Sequence, residues 1–212
     1  MLPWVAGAPP DASAPPLLGR SAAEIARALL GARVVSTVGG GAVEVVVVEV
    51  EAYGGGEDPA SHAAVKAGRT ARNAAMFGPS GRAYVYRSYG VHWCINVVTG
   101  ERGSPQAVLL RGGAVVSGRD LASRRRAGRT PLAAGPGRLA QALGVDGSLD
   151  GHDLGRHPLR LLPGWPVPEG RIGSTGRVGV NRAAEWPLRF YVRGAEGVTP
   201  GAPTDPPPSE SA

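Results

Sequence analysis

The sequence predicts an α+β fold, a single compact domain with a curved, mostly antiparallel β-sheet flanked by short helices. A chain of 212 residues has the size of one domain, and its 33 glycines and 20 prolines indicate many turns. Short β-branched runs separated by turn residues outnumber the helical segments. Strands and helices also fail to alternate regularly, which favours antiparallel pairing over a doubly wound parallel sheet.

The first half of the domain contains one helix and most of the strands. SAAEIARALLG predicts a helix because Ser21 and Glu24 have capping-box spacing. ARVVSTV and AVEVVVVEV, joined by GGG, predict a β-hairpin. GRAYVYRSYGVHWCINVVT predicts further strand with a break near Gly90, and QAVLLRGG predicts another strand.

The second half is predicted to hold two helices and the closing strands. SGRDLASRRRAG and GPGRLAQALGV are predicted helices, and Pro136 suits the first turn of the second one. GRVGV and PLRFYVRG are predicted strands. Residues 1–16 and 199–212 are rich in Pro, Ala and Ser and are predicted to be disordered tails, which leaves a folded domain over residues 17–198.

The charge balance suggests a phosphate-rich partner. Lys and Arg number 23 against 17 Asp and Glu, the formal net charge is +6, and Lys66 is the only lysine. A general bias toward Arg, Ala, Gly and Pro would produce the same excess, so charge alone does not choose between these explanations. The lone Cys94 cannot form an internal disulfide, which suits a reducing, cytoplasmic location. Without a long apolar run or a signal-peptide pattern, no membrane association is expected.

Metal and nucleotide cofactors are not expected. Four histidines and one cysteine supply no CxxC, no HxxxH and no His-carboxylate cluster with metal spacing. GGAVVSGRD is glycine-rich but lacks the lysine of a phosphate-binding loop, and no GxGxxG opens a strand-turn-helix unit.

The stretch VVVVEVEAYGGGEDPASH combines a buried strand pattern with a polar end. Alternation places Glu49, Glu51 and Tyr53 on the face that Val45 and Val47 share. A carboxylate that follows core valines costs free energy unless it is paired or has a task. The end of this strand is therefore a candidate site.

Several motifs agree in order with one known family. EVEAYGGGEDPASHAAVKAGRTARNAAMF, YVYRSYGVHWCINVV, AVLLRG, GPGRLAQALG and RVGVNRAAEWPLRFYVRG resemble the alkyladenine (3-methyladenine) DNA glycosylase family. The resemblance covers residues 17–198. It implies a monomeric enzyme that needs no metal or cofactor, flips a damaged purine nucleotide out of double-stranded DNA, and hydrolyses its N-glycosidic bond to begin base excision repair.

The resemblance also implies roles for individual residues. Glu51 stands at the position of the catalytic general base, and Arg111 at that of an arginine near the sugar and the attacking water. A purine alkylated at N3 or N7 is already cationic, so a single carboxylate can suffice. Tyr53 and His62 match the residues that enclose the flipped base, with backbone near Ala60 contacting the purine edge.

Further positions match the base pocket and the DNA surface. Tyr86 and Asn96 match a pocket aromatic and an asparagine that rejects guanine, and Val178 is expected to lend backbone to the pocket. Tyr89 matches the aromatic wedge that fills the gap left by the flipped nucleotide. The predicted phosphate contacts are Arg72 and Asn73, although an exposed arginine can serve solubility alone.

Alternatives remain at this stage. Glu49 is interpreted as an ion-pair partner of the site, with a catalytic role as the other possibility. The enzyme could be a specialist for hypoxanthine or etheno-purines, or the chain could be a non-catalytic nucleic-acid-binding module. A flexible, hydrated Lys66 offers no evident Schiff-base nucleophile, so a monofunctional enzyme that leaves the abasic strand intact is expected.

Overall fold

The structure, a computed structural model, describes residues 2–5, 7, 17–61 and 68–199. Of the predicted tails, residues 2–5, 7 and 199 are described, and Leu2 is buried in the main core. The disorder of the remaining tail residues stays a prediction. Within the described residues no helix is long and apolar enough to cross a lipid bilayer. The predicted α+β class is confirmed: the described ranges contain eight strands in one curled antiparallel sheet and three short α-helices.

The helices and strands cover the following residues. The helices are α1 (Ala22–Leu29), α2 (Arg119–Arg125) and α3 (Pro136–Leu143). The strands are β1 (Arg33–Ser36), β2 (Val43–Tyr53), β3 (Ala83–Ser88), β4 (His92–Thr99), β5 (Gln106–Ser117), β6 (Leu159–Leu162), β7 (Ile172–Thr175) and β8 (Arg189–Val192). Short 3₁₀ turns cover Ala74–Phe77, Gly147–Leu149 and Glu169–Arg171.

Strand β2 is the centre of the sheet. Its pairing with β5 extends along one edge, and its other edge is shared between β1 at the first half and β8 at Glu49–Glu51. Strands β3 and β4 extend the sheet beyond β5, and β6 extends it beyond β1. Residues 45–52 of β2 are all buried, because elements cover both faces of this strand.

Three irregularities interrupt the pairing of β2 with β5: one lies between Glu44 and Val45, and two near Glu49 cancel each other. Val47 pairs with Gly113 and Glu49 pairs with Gly112, so Val48 is an extra residue on β2. The next pair is Val50 with Leu110, so Arg111 is an extra residue on β5. Val48 and Arg111 therefore offset each other, one on each strand, and the register of the preceding pairs resumes beyond them.

Local sequence signals explain the helices. Both capping-box hydrogen bonds at the start of α1 are present, from Glu24 N to Ser21 Oγ at 3.3 Å and from Ser21 N to Glu24 Oε2 at 2.9 Å. Ile25 and Leu29 point from α1 into the main core against the β2 valines. Pro136 begins α3, and Gly144 ends it at φ 70°, a conformation that favours glycine.

The predicted strand at GRVGV is wrong. Residues 176–180 form a loop after β7, which itself covers the four preceding residues. The alternating valines suggested a strand, but polar groups of the loop bond to other parts of the fold instead of to a neighbouring strand. The Arg177 side chain is buried against Asp58, and the Val178 N–H donates to Glu51. The short strands β6 and β7 were not predicted.

Candidate active site

Strand β2 delivers three side chains to one side of the sheet. Tyr53 Oη donates to Glu51 Oε2 at 3.0 Å, and Arg111 contacts both Glu49 and Glu51. Glu49, Glu51 and Tyr53 therefore lie on the same side of the sheet, as the alternation of side chains along the strand predicted. Gly55, at φ 88°, then turns the chain away from the sheet in a conformation that other residues rarely adopt.

Glu51 is completely buried, and its carboxylate is surrounded by donors. Besides the Tyr53 hydroxyl, the backbone N–H of Val178 donates to Oε1 at 2.7 Å, and Arg111 Nη1 lies 3.2 Å from the same oxygen. These contacts stabilise a charge that burial alone would disfavour. They also fix the direction in which the carboxylate points.

Glu49 forms the inner half of the same network. Its Oε1 accepts from Arg111 Nε at 2.9 Å and from Arg189 Nε at 2.7 Å. Burial raises the pKa of Glu49, but Arg111, Thr199 and Arg189 outweigh it and hold that pKa below its ordinary value. Burial likewise lowers the pKa of Arg111, but Glu51 and Glu49 outweigh it and hold it above the ordinary value.

A cavity of about 850 Å³ opens in front of this network. It brings together predicted site residues from both halves of the chain: Tyr53, Ala60, Arg72, Asn73, Tyr86, Tyr89, Asn96, Arg111 and Val178. Glu51 lies directly behind the lining, since three of the lining residues contact it. His62 and Lys66 lie outside the described residues.

Strands β3 and β4 form an aromatic wall of the cavity. The rings of Tyr84 and Tyr86 are stacked with centroids 5.3 Å apart, and burial raises the pKa of Tyr84 to about 12. Tyr84 packs in a small core with Met76, and it also lines the cavity. The Asn96 side chain donates to the Tyr84 carbonyl at 3.0 Å, and the buried Cys94 pairs with Tyr86 across the strands.

The turn between β3 and β4 carries Tyr89 at its tip. Tyr89 has φ 49° and Gly90 has φ 68°, and the Val91 N–H closes the turn on the Ser88 carbonyl at 2.9 Å. Two consecutive residues with positive φ are typical of a two-residue β-hairpin turn. A positive φ is unusual for tyrosine and is found preferentially at functional sites. Tyr89 is 85% exposed, so the turn presents its ring to solvent.

The loop before β3 supplies the basic rim. Arg72 is exposed and its Nη2 donates to the Arg87 carbonyl at 3.0 Å, which anchors the guanidinium beside the cavity. Asn73 is buried: its Oδ1 accepts from the Thr70 N–H at 2.6 Å, and its Nδ2 donates to the Gly68 carbonyl at 2.8 Å. These bonds hold the loop, and a phosphate contact by Asn73 remains a prediction.

Sequence reasoning missed a buried ion pair, Asp58 with Arg177. Arg177 Nη2 donates to Asp58 Oδ1 at 2.8 Å, its Nη1 also contacts Asp58, and both side chains are at most 2% exposed. The carboxylate accepts the Ala60 N–H at 3.0 Å as well, so that N–H is already bonded. The guanidinium lies 5.0 Å from the centroid of the Tyr53 ring. The only sequence signal was an acid soon after the Gly-rich turn.

The described residues offer nothing that resembles a metal site. No group of three His, Cys, Asp or Glu side chains in residues 2–5, 7, 17–61 and 68–199 is placed to hold an ion. The charges of the site are paired instead with arginines. What the arrangement can do is hold a planar group between aromatic walls with an oriented carboxylate beside it.

This geometry is suited to hydrolysis of the bond between a base and its sugar, and the basic rim suits a nucleic acid, so the class is DNA glycosylase. The family model described as Methylpurine-DNA glycosylase (MPG) matches residues 17–196, and the chain belongs to that family. Members of the family are hydrolases of N-glycosyl bonds that act on DNA in repair. The family resemblance drawn from the sequence motifs is thereby confirmed.

Individual relatives agree with the family assignment. A protein of Frankia casuarinae is 49% identical over 91% of this chain and 95% of its own length. A protein of Streptomyces avermitilis is 45% identical over 85% of this chain and 87% of its own length. A protein of Methanoculleus marisnigri is 49% identical over 72% of this chain and 81% of its own length. All three carry the provisional name 3-methyladenine DNA glycosylase.

Proposed function

We propose that this protein flips alkylated purines of the 3-methyladenine and 7-methylguanine class out of duplex DNA and hydrolyses their N-glycosidic bond. The observation that carries the proposal is the position of Glu51, buried behind the cavity and contacted by three residues that line it. A general base must be oriented and must lie within one water molecule of the reacting atom. Hydrogen bonds from Tyr53 and the Val178 backbone orient this carboxylate.

Glu51 acts as the general base that activates water against the anomeric carbon. Arg111 and Tyr53 both line the cavity and both contact the carboxylate, so a water molecule entering between them reaches Glu51. An alkylated purine carries a positive charge and leaves without a proton donor, which agrees with a site that offers one carboxylate to the cavity. Arg111 holds the Glu51 carboxylate in place through their ion pair and contacts the sugar side of the nucleotide.

The cavity walls hold the extruded base. Tyr53 supplies one stacking surface, supported from behind by the Arg177 guanidinium, and Tyr86 supplies a second aromatic surface. His62 is proposed to complete the enclosure, the Ala60 backbone to contact the purine edge, and Asn96 to reject guanine. At about 850 Å³ the cavity has the volume usual for binding sites of small molecules.

The exposed rim binds the duplex. Tyr89 enters the base stack and offsets part of the few kcal/mol that extrusion of a paired base costs. Arg72 and Asn73 contact phosphates. The protein acts as a monomer on chromosomal DNA, and it is monofunctional, with water rather than Lys66 as the nucleophile.

The test is to incubate the protein with four duplexes that carry 3-methyladenine, 7-methylguanine, hypoxanthine or ethenoadenine, and to measure the free base released. We expect release from the first two and an abasic strand that is not cut on a denaturing gel without alkali. Release from the hypoxanthine or ethenoadenine duplex alone would instead identify a specialist. Tight binding with no release from any duplex would support a non-catalytic module and contradict the proposal.

A further inference from the structure

Residues 195–199, which follow β8 and are called the C-terminal strap below, cross β5 at very short range. A Cβ atom added to Gly112 would lie 2.0 Å from the Gly197 carbonyl oxygen, and one added to Gly197 would lie 2.3 Å from the Gly113 carbonyl oxygen. Gly197 also has φ 100°, a conformation that favours glycine. Glycines on both segments thus allow the backbones to touch beside the Arg111 bulge.

The strap ends on the buried carboxylate of Glu49. The Thr199 N–H donates to Glu49 Oε2 at 2.6 Å, and the Thr199 hydroxyl donates to the same oxygen at 2.7 Å. The other oxygen, Oε1, is occupied by Arg111 and Arg189. Thr199 therefore holds one oxygen of a carboxylate that has no exposed surface through two hydrogen bonds.

The position of Glu49 in turn determines the position of Arg111. Arg111 Nε is held by Glu49 at 2.9 Å, and this leaves Nη1 to approach Glu51 Oε1 at 3.2 Å. Thr199, Glu49, Arg111 and Glu51 therefore form one continuous chain of contacts. Loss of a bond on Oε2 would leave the carboxylate held mainly through Oε1, about which it could turn, and Arg111 would shift with it.

We propose that Thr199 is a positioning residue for excision, acting through Glu49 and Arg111 on the general base. This proposal rests on the proposed role of Glu51. Thr199 lies three residues beyond the family match, which ends at residue 196, and the predicted domain boundary assigns it to the C-terminal tail. Catalysis by this protein thus depends on a segment beyond the matched domain.

The test compares Thr199→Val with Thr199→Ser in the full chain. Valine keeps the shape and the backbone N–H but removes the hydroxyl donor, whereas serine keeps both donors. We expect the maximal single-turnover rate of base release from 7-methylguanine duplex to fall about tenfold for valine and to stay within about twofold for serine, since charge-assisted hydrogen bonds are the strong ones. Affinity for duplex with an abasic-site analogue should stay at the wild-type value.

Glu196→Gln is the control within the strap. Glu196 forms an exposed ion pair with Arg119 at 2.9 Å, away from the Glu49 network. The Glu196→Gln variant should therefore release base at the wild-type rate. Thr199→Val with the wild-type rate would overturn the proposal. Equal losses in valine and serine, or a loss matched by weaker abasic-site binding, would also overturn it, because a purely structural role produces those results.

A second pair of variants displaces the strap itself. Gly197→Ala cannot fit against β5, whereas Gly194→Ala has the same positive φ, at 68°, with no atom within 4 Å of the added methyl group. We expect the single-turnover rate of base release to fall further for Gly197→Ala than for Thr199→Val, and to change little for Gly194→Ala. Release by wild type but not by Glu51→Gln upholds the proposed function whatever the strap variants do. Absence of release by wild type refutes the function itself.

Discussion

Glu49 and Glu51, which lie behind the cavity lining, have no exposed surface, whereas Tyr89, which is part of the lining, exposes 85% of its own. The buried part, called the floor, consists of the two glutamates with Arg111, together with the ion pair of Asp58 and Arg177. The exposed part, the rim, consists of Tyr89 and Arg72. The floor is held by buried ion pairs between residues that are far apart in the sequence. The rim is formed by local turns that are exposed to solvent.

The difference separates two kinds of function. Buried charges hold the general base in one orientation, and removing one of them damages the fold as well as the chemistry. Exposed side chains stabilise the fold little, so they are available for DNA. Substitutions in the floor are expected to alter stability or rate, and substitutions in the rim to alter affinity.

The largest effect is expected from Arg177→Met in the floor. Methionine leaves Asp58 buried without its ion-pair partner, which typically costs about 3–5 kcal/mol of the free energy of unfolding, measured with urea at pH 7. Arg156→Met is the control, because Arg156 is 82% exposed and its loss should change that free energy by less than about 0.5 kcal/mol. A loss below about 1 kcal/mol for Arg177→Met would mean that the floor does not depend on this pair.

The stability that the ion pair of Asp58 and Arg177 contributes depends on pH, and the sign of this dependence follows from the pKa of Asp58. Burial raises the pKa of Asp58, but hydrogen bonds from Arg177, Gly54 and Ala60 outweigh it and hold the pKa below its ordinary value. The pair therefore stabilises the fold above the unfolded pKa of about 3.9, and that stabilisation is lost as the pH falls through the lowered folded pKa. The difference between wild type and Arg177→Met should narrow below about pH 4, and a constant difference would contradict the ion pair.

The next largest effect is expected from Glu51→Gln. Glutamine keeps the shape of the side chain but cannot accept the proton of the attacking water, so single-turnover base release should fall by about a hundredfold or more. Affinity for duplex with an abasic site should persist, because the rim is intact. Glu101→Gln, at an exposed turn, is the control with an unchanged rate. Near-normal excision by Glu51→Gln would remove this residue from catalysis.

A smaller effect, on affinity alone, is expected from Tyr89→Ala in the rim. Stacking of an aromatic side chain on a base is worth roughly 1–3 kcal/mol, so binding to abasic duplex should weaken by about 5- to 150-fold, measured by fluorescence anisotropy. Tyr89→Phe keeps the ring and should bind as wild type does. Equal affinities of the alanine variant and wild type would exclude the wedge role.

The smallest effect is expected from Arg72→Ala. If Arg72 neutralises one phosphate, the slope of log K against log salt for undamaged duplex should become shallower by about one unit. Arg156→Ala, which removes an equally charged side chain outside the cavity lining, should leave the slope unchanged. An unchanged slope for Arg72→Ala would assign that arginine to solubility.

Sequence reasoning succeeded where the signal was local. The capping box of α1, the hairpin of β1 and β2, and the break at Gly90 each depend on residues a few positions apart. Glu51 was found because a carboxylate at the end of a valine run contradicts the pattern of a buried strand. Family resemblance added the cavity residues, which no local pattern would have brought together.

Sequence reasoning failed where a bond joins distant segments. Asp58 and Arg177 are 119 residues apart, and Glu49 and Thr199 are 150 residues apart, so neither contact leaves a local pattern. The GRVGV loop was predicted as a strand because its valines alternate, while the Arg177 ion pair that holds it is tertiary. The four-residue strands β6 and β7 are too short for alternation to identify them.

The paired bulges limit how the length of this chain can change. Val48 on β2 and Arg111 on β5 each add one residue, and the pairing resumes in register beyond them. Deleting either residue alone would shift one strand by a position and turn every side chain beyond the deletion to the opposite face. Deleting both would keep the register but remove the arginine between the two glutamates. We therefore expect insertions and deletions to be tolerated in the loops of this enzyme and selected against in residues 47–50 of β2 and 110–113 of β5.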